Sequence, residues 1–259
     1  MSKKQSKATK LANAQRAADR AAAMRREQER RARRRRTVVV TAVAVVVLAG
    51  IGTIAYFVQS ARDSTGQATT PPAGVVDSYG IPMGPDNAAV VVEVYEDFMC
   101  PFCGQFEEQS REALKQYAGA GDVHVQYKVI SILDGASSTD YSTRATNAMA
   151  VVLDEAGPDV AVAFHDMLFE NQPEEGSAGL SDDELVDLAV EAGASEAAVR
   201  EPIESLSFEQ WAKNATDDAS KDDVIGTPAI FVNGEQVEGG TIAEVAATME
   251  DVIDAALAE

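Results

Sequence analysis

Cys100 and Cys103 are the only cysteines in this 259-residue chain, and Pro101 and Phe102 separate them. Two thiols at that spacing fit on one helical turn, where they can close into a readily exchanged disulfide. An apolar, strand-like run from Ala88 to Tyr95 leads into them, and a helix opens at them. The start of a helix favours thiolate over thiol, through its unpaired N–H groups and its dipole. Pro101 suits the first helical turn, where its missing N–H is not needed. The strand-to-helix setting favours redox exchange, but two other readings stand beside it. A structural disulfide is one, although so short a loop removes little unfolded-chain entropy. A metal site is the other. It needs further ligands, and only His124 and His165 are available to supply them, both distant in sequence from the cysteines and from each other.

The elements that must position the pair follow from patterning. The near-continuous apolar run before the cysteines predicts a central strand covered on both faces. The helix after them runs to about Tyr117 and stops at Ala118-Gly119-Ala120-Gly121. In the next segment, Val123 to Ile130, residues Val123, Val125, Tyr127 and Val129 alternate onto one face, so a strand parallel to the first is expected. Ser142 to Gln210 reads as helical. One stripe holds Ala145, Ala148, Met149, Val152 and Leu153, and another holds Val160, Ala161, Phe164, Met167 and Leu168. Capping-box patterns occur at Ser181-Asp182-Asp183-Glu184, Ser207-Phe208-Glu209-Gln210 and Thr241-Ile242-Ala243-Glu244. Trp211 reads as a core anchor of the helical block, and His165 as a residue on a helix face. Pro228 to Val232, Asn233-Gly234 and Glu235 to Val237 give a hairpin, and a last helix is striped by Ile242, Val245, Met249, Val252, Ile253 and Ala256.

Charge divides the chain. Of its 22 basic and 42 acidic residues, Met1 to Arg36 hold 14 and 3, leaving 8 and 39 in the remainder. Between tail and body, Thr37 to Val58 carries no charge. At about 1.5 Å per residue these residues span a hydrocarbon core of roughly 30 Å. Arg33 to Arg36 abut this segment, so the tail is expected in the cytoplasm and the rest outside. The apolar run is too long for a signal-peptide core, and Gln59-Ser60-Ala61 is a poor cleavage site, which favours an uncleaved anchor. Topology and anionic lipid explain the basic tail, so no nucleic-acid partner is expected. The domain reading is a basic cytoplasmic tail 1–36, a transmembrane anchor 37–58, a linker 59–77 and a folded body 78–259 with a helical insertion at about 142–221.

Two stretches, Tyr95-Glu96-Asp97-Phe98-Met99-Cys100-Pro101-Phe102-Cys103 and Val224-Ile225-Gly226-Thr227-Pro228-Ala229-Ile230-Phe231-Val232-Asn233-Gly234, resemble the thioredoxin superfamily. The helical block between the second strand and the hairpin resembles its DsbA-like branch, in membrane-anchored forms familiar from actinobacteria. The resemblance implies an α/β thioredoxin fold with an inserted helical block, preceded by one transmembrane helix. It implies Cys100 as the exposed nucleophile, Cys103 as its buried partner, and Gly226-Thr227-Pro228 as a substrate-facing loop with a cis proline. The bland alternative for Pro228 is a turn residue that starts a strand. Such proteins often carry a buried carboxylate six residues before the first cysteine, where this chain has Val94. Glu93, Glu96 or Asp97 are candidates to replace it, against the alternative that they are solvated strand-end charges. Strongly oxidising members have His where this chain has Phe102. Phe102 adds no positive charge, so Cys100 is expected to be less acidic and the pair less oxidising.

The function expected is extracytoplasmic thiol-disulfide exchange, oxidising cysteines of exported proteins without metal or organic cofactor. Reoxidation then requires a membrane partner resembling DsbB or vitamin K epoxide reductase. A tethered reductase or isomerase is the first alternative, and a non-catalytic redox-sensing or binding module is the second.

Overall fold

The computed structural model describes residues 68–222 and 224–258. The expected basic tail, the anchor at 37–58 and the start of the linker lie outside the described residues. Among the described residues, no helix is long and apolar enough to cross a membrane.

A five-stranded sheet forms the frame, in the order β1 (Ile81–Met83), β3 (Val123–Val129), β2 (Val90–Glu96), β4 (Ala229–Val232), β5 (Glu235–Gln236). Strand β2 sits at its centre, parallel to β3 and antiparallel to β4. The crossover from β2 to β3 is helix α1 (Pro101–Ala120), which Gly121 ends in the left-handed region at φ 86°. Because β4 runs against β2, with Ala229 opposite Tyr95, the residues before β4 arrive at the carboxyl end of β2. That end is where the cysteines lie. Asn233 and Gly234, both at positive φ, make the tight turn into β5.

The helical block comprises α2 (Tyr141–Ala156), α3 (Pro158–Glu170), α4 (Asp182–Ala192), α5 (Glu196–Glu204) and α6 (Glu209–Lys221), and α7 (Ile242–Leu257) follows β5. The main core joins Val90, Val92, Val94 and Tyr127 of the sheet to Phe106 and Leu114 of α1, Met249 and Ile253 of α7, and the inner faces of α2 and α3. Trp211 is the expected anchor, buried with Nε1 donating to the Ser78 carbonyl.

Several expectations shift. β2 is less enclosed than a run of valines suggests: Val91 and Glu93 are half-buried, and a small cluster of Tyr95, Ile130, Ala219, Val224 and Ala229 covers only its far end. The short edge strand β1 was not expected. Ser181 makes a complete capping box with Glu184, but Ser207 caps nothing. Its hydroxyl donates to the Pro202 carbonyl, while Phe208 is the N-cap of α6 and its N–H donates to Asn147 Oδ1. Val252 is exposed, with Ala246 buried in the α7 stripe instead. Packing also begins upstream of Ser78: Pro72 is buried, and Ala73 N–H donates to Asp154 Oδ1 at 2.6 Å.

Candidate active site

Cys100 is the N-cap of α1, with extended backbone (φ −77°, ψ 116°) and Pro101 following at the first helical position. Its carbonyl accepts the N–H groups of Cys103 and Gly104 at 3.0 and 3.2 Å, and its own N–H donates to the Asp97 carbonyl at 2.9 Å. The Cys100 thiol donates to the Thr227 carbonyl at 3.4 Å, and the Thr227–Pro228 bond is cis. The two distant motifs therefore meet at the carboxyl end of β2. Gly226 and Pro101 are exposed, as are Phe102 at 57% and Ile225 at 99%, giving the pair an apolar and accessible rim.

Both cysteines are free thiols and both are buried, Cys100 at 5% exposure and Cys103 at 0%, so Cys100 is not the exposed residue that the resemblance implied; the two differ instead in acidity. A hydrogen bond from Cys103 stabilises the Cys100 thiolate. With further bonds from the Thr227 side chain and the N–H groups of Cys103 and Phe102, it outweighs burial and lowers the Cys100 pKa from 9.0 to about 6. Burial, the bond to Cys100 and the charges of Cys100 and Glu96 push Cys103 far upward. One sulfur is prepared to ionise and the other to stay protonated. Phe102 adds no charge, so the activation comes from the helix start and the second thiol.

The candidate acids separate. Glu93 faces outward and pairs with Lys128. Asp97 is fully buried and ties the site loop to its surroundings. Its Oδ1 accepts Met99 N–H at 2.9 Å and the Ser142 hydroxyl at 2.6 Å, and its Oδ2 accepts Leu133 N–H at 2.9 Å. Burial outweighs these bonds and raises its pKa from 3.8 to about 6. Glu96 is also fully buried, and its Oε1 meets His165 Nε2.

His165 does lie on a face of α3, as expected, and that face is fully buried. The α3 stripe is rotated from its expected position, so Ala161, Phe164, His165, Leu168 and Phe169 are buried while Val160 and Met167 are only half-buried. Its ring lies 4.1 Å from that of Tyr127 and 5.1 Å from that of Phe169. Glu107 was also missed, although its place four residues after Cys103 puts both on one helix face. Gln172 is a third omission. Its Nε2 donates to the carbonyls of Phe98 at 3.1 Å and Cys100 at 2.9 Å, fixing the loop from the side of the helical block. No motif marks a glutamine that acts from a loop.

Glu96, Glu107 and His165 place donor atoms within 4.8 Å of one another, the one set with metal-ligand proximity among the described residues. It includes neither cysteine, and its imidazole Nε2 is already engaged by Glu96. Arg111 Nε also lies 3.6 Å from Glu107, which opposes a divalent cation there. His124 stands apart on β3, 4.0 Å from Asp86.

This geometry matches that of known proteins. A thioredoxin family model covers residues 77–254. The chain belongs to that family. Among solved structures, this thioredoxin-family chain is similar to reduced DsbA from Mycobacterium tuberculosis, at 31% identity and TM-score 0.57, over 70% of this chain and 98% of that one. It is 24% identical to the probable disulfide bond formation protein D of Bacillus cereus, over 73% of this chain and 84% of that protein. It is also 28% identical to the serine/threonine-protein kinase PknE of M. tuberculosis over 159 residues, 59% of this chain. The match spans only 28% of the kinase's length.

Proposed function

We propose that the protein is a thiol-disulfide oxidoreductase that gives disulfides to exported proteins. The asymmetry of the pair carries this reading: Cys100 is stabilised as thiolate at a helix start, and Cys103 is buried as thiol. In the oxidised form a substrate thiolate attacks Cys100 Sγ, the bond to Cys103 breaks, and Cys103 leaves and takes up a proton. A second substrate thiolate then attacks the substrate sulfur of the mixed disulfide. Cys100 departs as thiolate, and its low proton affinity makes it a good leaving group. The substrate loses two electrons and gains a disulfide; the enzyme is left reduced. Gly226, Thr227 and Pro228, with exposed Phe102 and Ile225, form the edge offered to an extended substrate.

The charge-free Thr37–Val58 segment after Arg33 to Arg36 supports a tether that places residues 78–259 outside the cytoplasm. A tethered body meets a membrane oxidase at high effective concentration, which suits reoxidation by a DsbB-like or vitamin-K-epoxide-reductase-like partner.

The test is the reduction potential of the Cys100–Cys103 pair, equilibrated with glutathione. A value well above about −200 mV is expected, since thiolate stabilisation favours the reduced form; one near about −270 mV overturns the oxidising direction in favour of a reductase. Cys103→Ser should trap mixed disulfides with exported proteins in cells, and a variant that traps none points to a non-catalytic module.

A further inference from the structure

A groove of about 380 Å³ runs between α1 and the last turn of α3, within the roughly 300–1,000 Å³ usual for binding clefts. It begins beside the nucleophile. Pro101 follows Cys100 in the chain and lines the groove, as does Gln172, whose Nε2 donates to the Cys100 carbonyl at 2.9 Å. The Thr227 loop is a separate surface and meets Cys100 at its sulfur. Gly104, Gln105, Glu108 and Arg111 carry the groove along α1, and Phe169 and Glu170 form the facing wall. Glu108 stands two turns beyond Cys100, about 12 Å along a helix axis. An extended polypeptide covers that distance in about four residues.

The charges in the groove are unequal. Arg111 is the one cation among the lining residues, and acids already surround it: Glu170 at 2.8 Å, Asp166 at 3.2 Å and Glu107 at 3.6 Å. Lys115, one turn further on, is likewise taken by Asp166. Neither cation is left to attract an acidic ligand. Glu108, by contrast, is exposed and has no ion-pair partner among the described residues, and Glu170 is exposed beyond its bond to Arg111. Pro101 and Phe169 add apolar surface between Cys100 and these carboxylates. An apolar approach that ends in a free carboxylate suits lysine or arginine, whose stems lie along apolar surface while the charged head stays in water.

We propose that this groove is a subsite for a lysine or arginine side chain of the substrate, three or four residues from the cysteine that joins Cys100, and that Glu108 selects it. The proposal rests on the thiol-exchange reading of the cysteine pair. It also differs from attraction by the acidic body as a whole. A general field favours any basic substrate, wherever its charge lies. The groove favours a charge at one spacing from the reacting sulfur, so it ranks cysteines within a single substrate.

The experiment uses the reduced full-length protein and peptides whose one cysteine is disulfide-bonded to 2-nitro-5-thiobenzoate. The Cys100 thiolate attacks the peptide sulfur, the peptide–thionitrobenzoate bond breaks, and the coloured thiolate leaves with the electron pair. Two peptides have the same composition and net charge. One carries arginines about three residues to either side of the cysteine, and the other carries them about ten residues away. Each rate is divided by that of the same peptide with glutathione, which removes the effect of the arginines on the sulfur itself. In wild type at about 0.15 M salt the near peptide should react roughly two- to fivefold faster than the far one, as one exposed ion pair allows. The ratio should fall toward one in Glu108→Gln and below one in Glu108→Lys. Because it is taken within one protein, a change in Cys100 acidity cancels from it. A wild-type ratio of one overturns the subsite, as does a ratio that Glu108→Lys leaves unchanged. Wild type that reacts with neither peptide faster than glutathione does overturns the thiol-exchange reading itself.

Discussion

At the scale of the residue, the site consists of groups whose protonation has been set apart by their surroundings. Cys100 takes its acidity from the helix start and from the Cys103 thiol. Alkylation of Cys100 against pH should therefore show a midpoint near 6, rising clearly in Cys103→Ala and less in Cys103→Ser, whose hydroxyl still donates. Asp97 behaves in the opposite sense. Its folded pKa is about 6 against an ordinary 3.8, so the fold binds its proton more tightly than the unfolded chain does. That contribution is full below about pH 4 and is lost as pH rises through about 6, a span worth about 3 kcal/mol. Asp97→Asn copies the protonated form but cannot accept from Leu133 N–H. Urea unfolding at pH 4.5 and 7.5 should show the variant gaining on wild type at the higher pH, on top of a pH-independent loss. The cysteines and the proline loop were legible in the sequence because their spacing and order are themselves the signal. His165 was not, because α3 is apolar nearly all round and its pattern does not fix which side faces inward.

At the scale of the element, the loop from Glu96 to Cys100 is held from two directions, by Asp97 toward α2 and by Gln172 from beyond α3. Gly104 is what lets Gln172 approach, since a Cβ there would stand 2.3 Å from Gln172 Oε1. Gly104→Ala should gain up to about 1 kcal/mol in helix propensity while displacing the Gln172 amide from the Phe98 and Cys100 carbonyls. Equilibrium stability should change little, whereas thiol reactivity at Cys100 should change measurably, and comparing the two in one variant checks this. Capping gives a simpler case. Ser181→Ala should cost about 1 kcal/mol in chemical denaturation, while Ser207→Ala should cost less, because Ser207 starts no helix. Sequence pattern alone does not separate these two serines. Leu206 adopts a positive φ of 54°, which turns the chain so that Ser207 closes the preceding helix rather than opening the next.

At the scale of the whole molecule, the architecture followed from element order more readily than from any one segment. A strand, a helix and a parallel strand, then a helical block and a hairpin, leave few ways to close one sheet. What the order could not supply was β1, three residues too short to show a pattern, and the degree to which β2 is covered. Both depend on packing between distant segments. Charge is the other property of the whole. The residues after Arg36 hold 39 acidic and 8 basic side chains, so a basic cysteine peptide should react faster than an acidic one. The difference should shrink as salt is raised, because the screening length falls from about 10 Å at 0.1 M to about 3 Å at 1 M. Stopped-flow rates with the two peptides at both salt concentrations provide the check.

The segment entering the body at Ala73 gives the molecule a mechanical property. It is fastened first to α2 through Asp154, then to β3 through Asp77, which accepts from Gln126 Nε2, and to α6 through Trp211 and Ser78, before it pairs with β3 as β1. A pull from upstream is therefore met by the helical block before it reaches the sheet. The strand that carries the cysteines lies two places inward from β1. The redox centre is cushioned from tension along the chain.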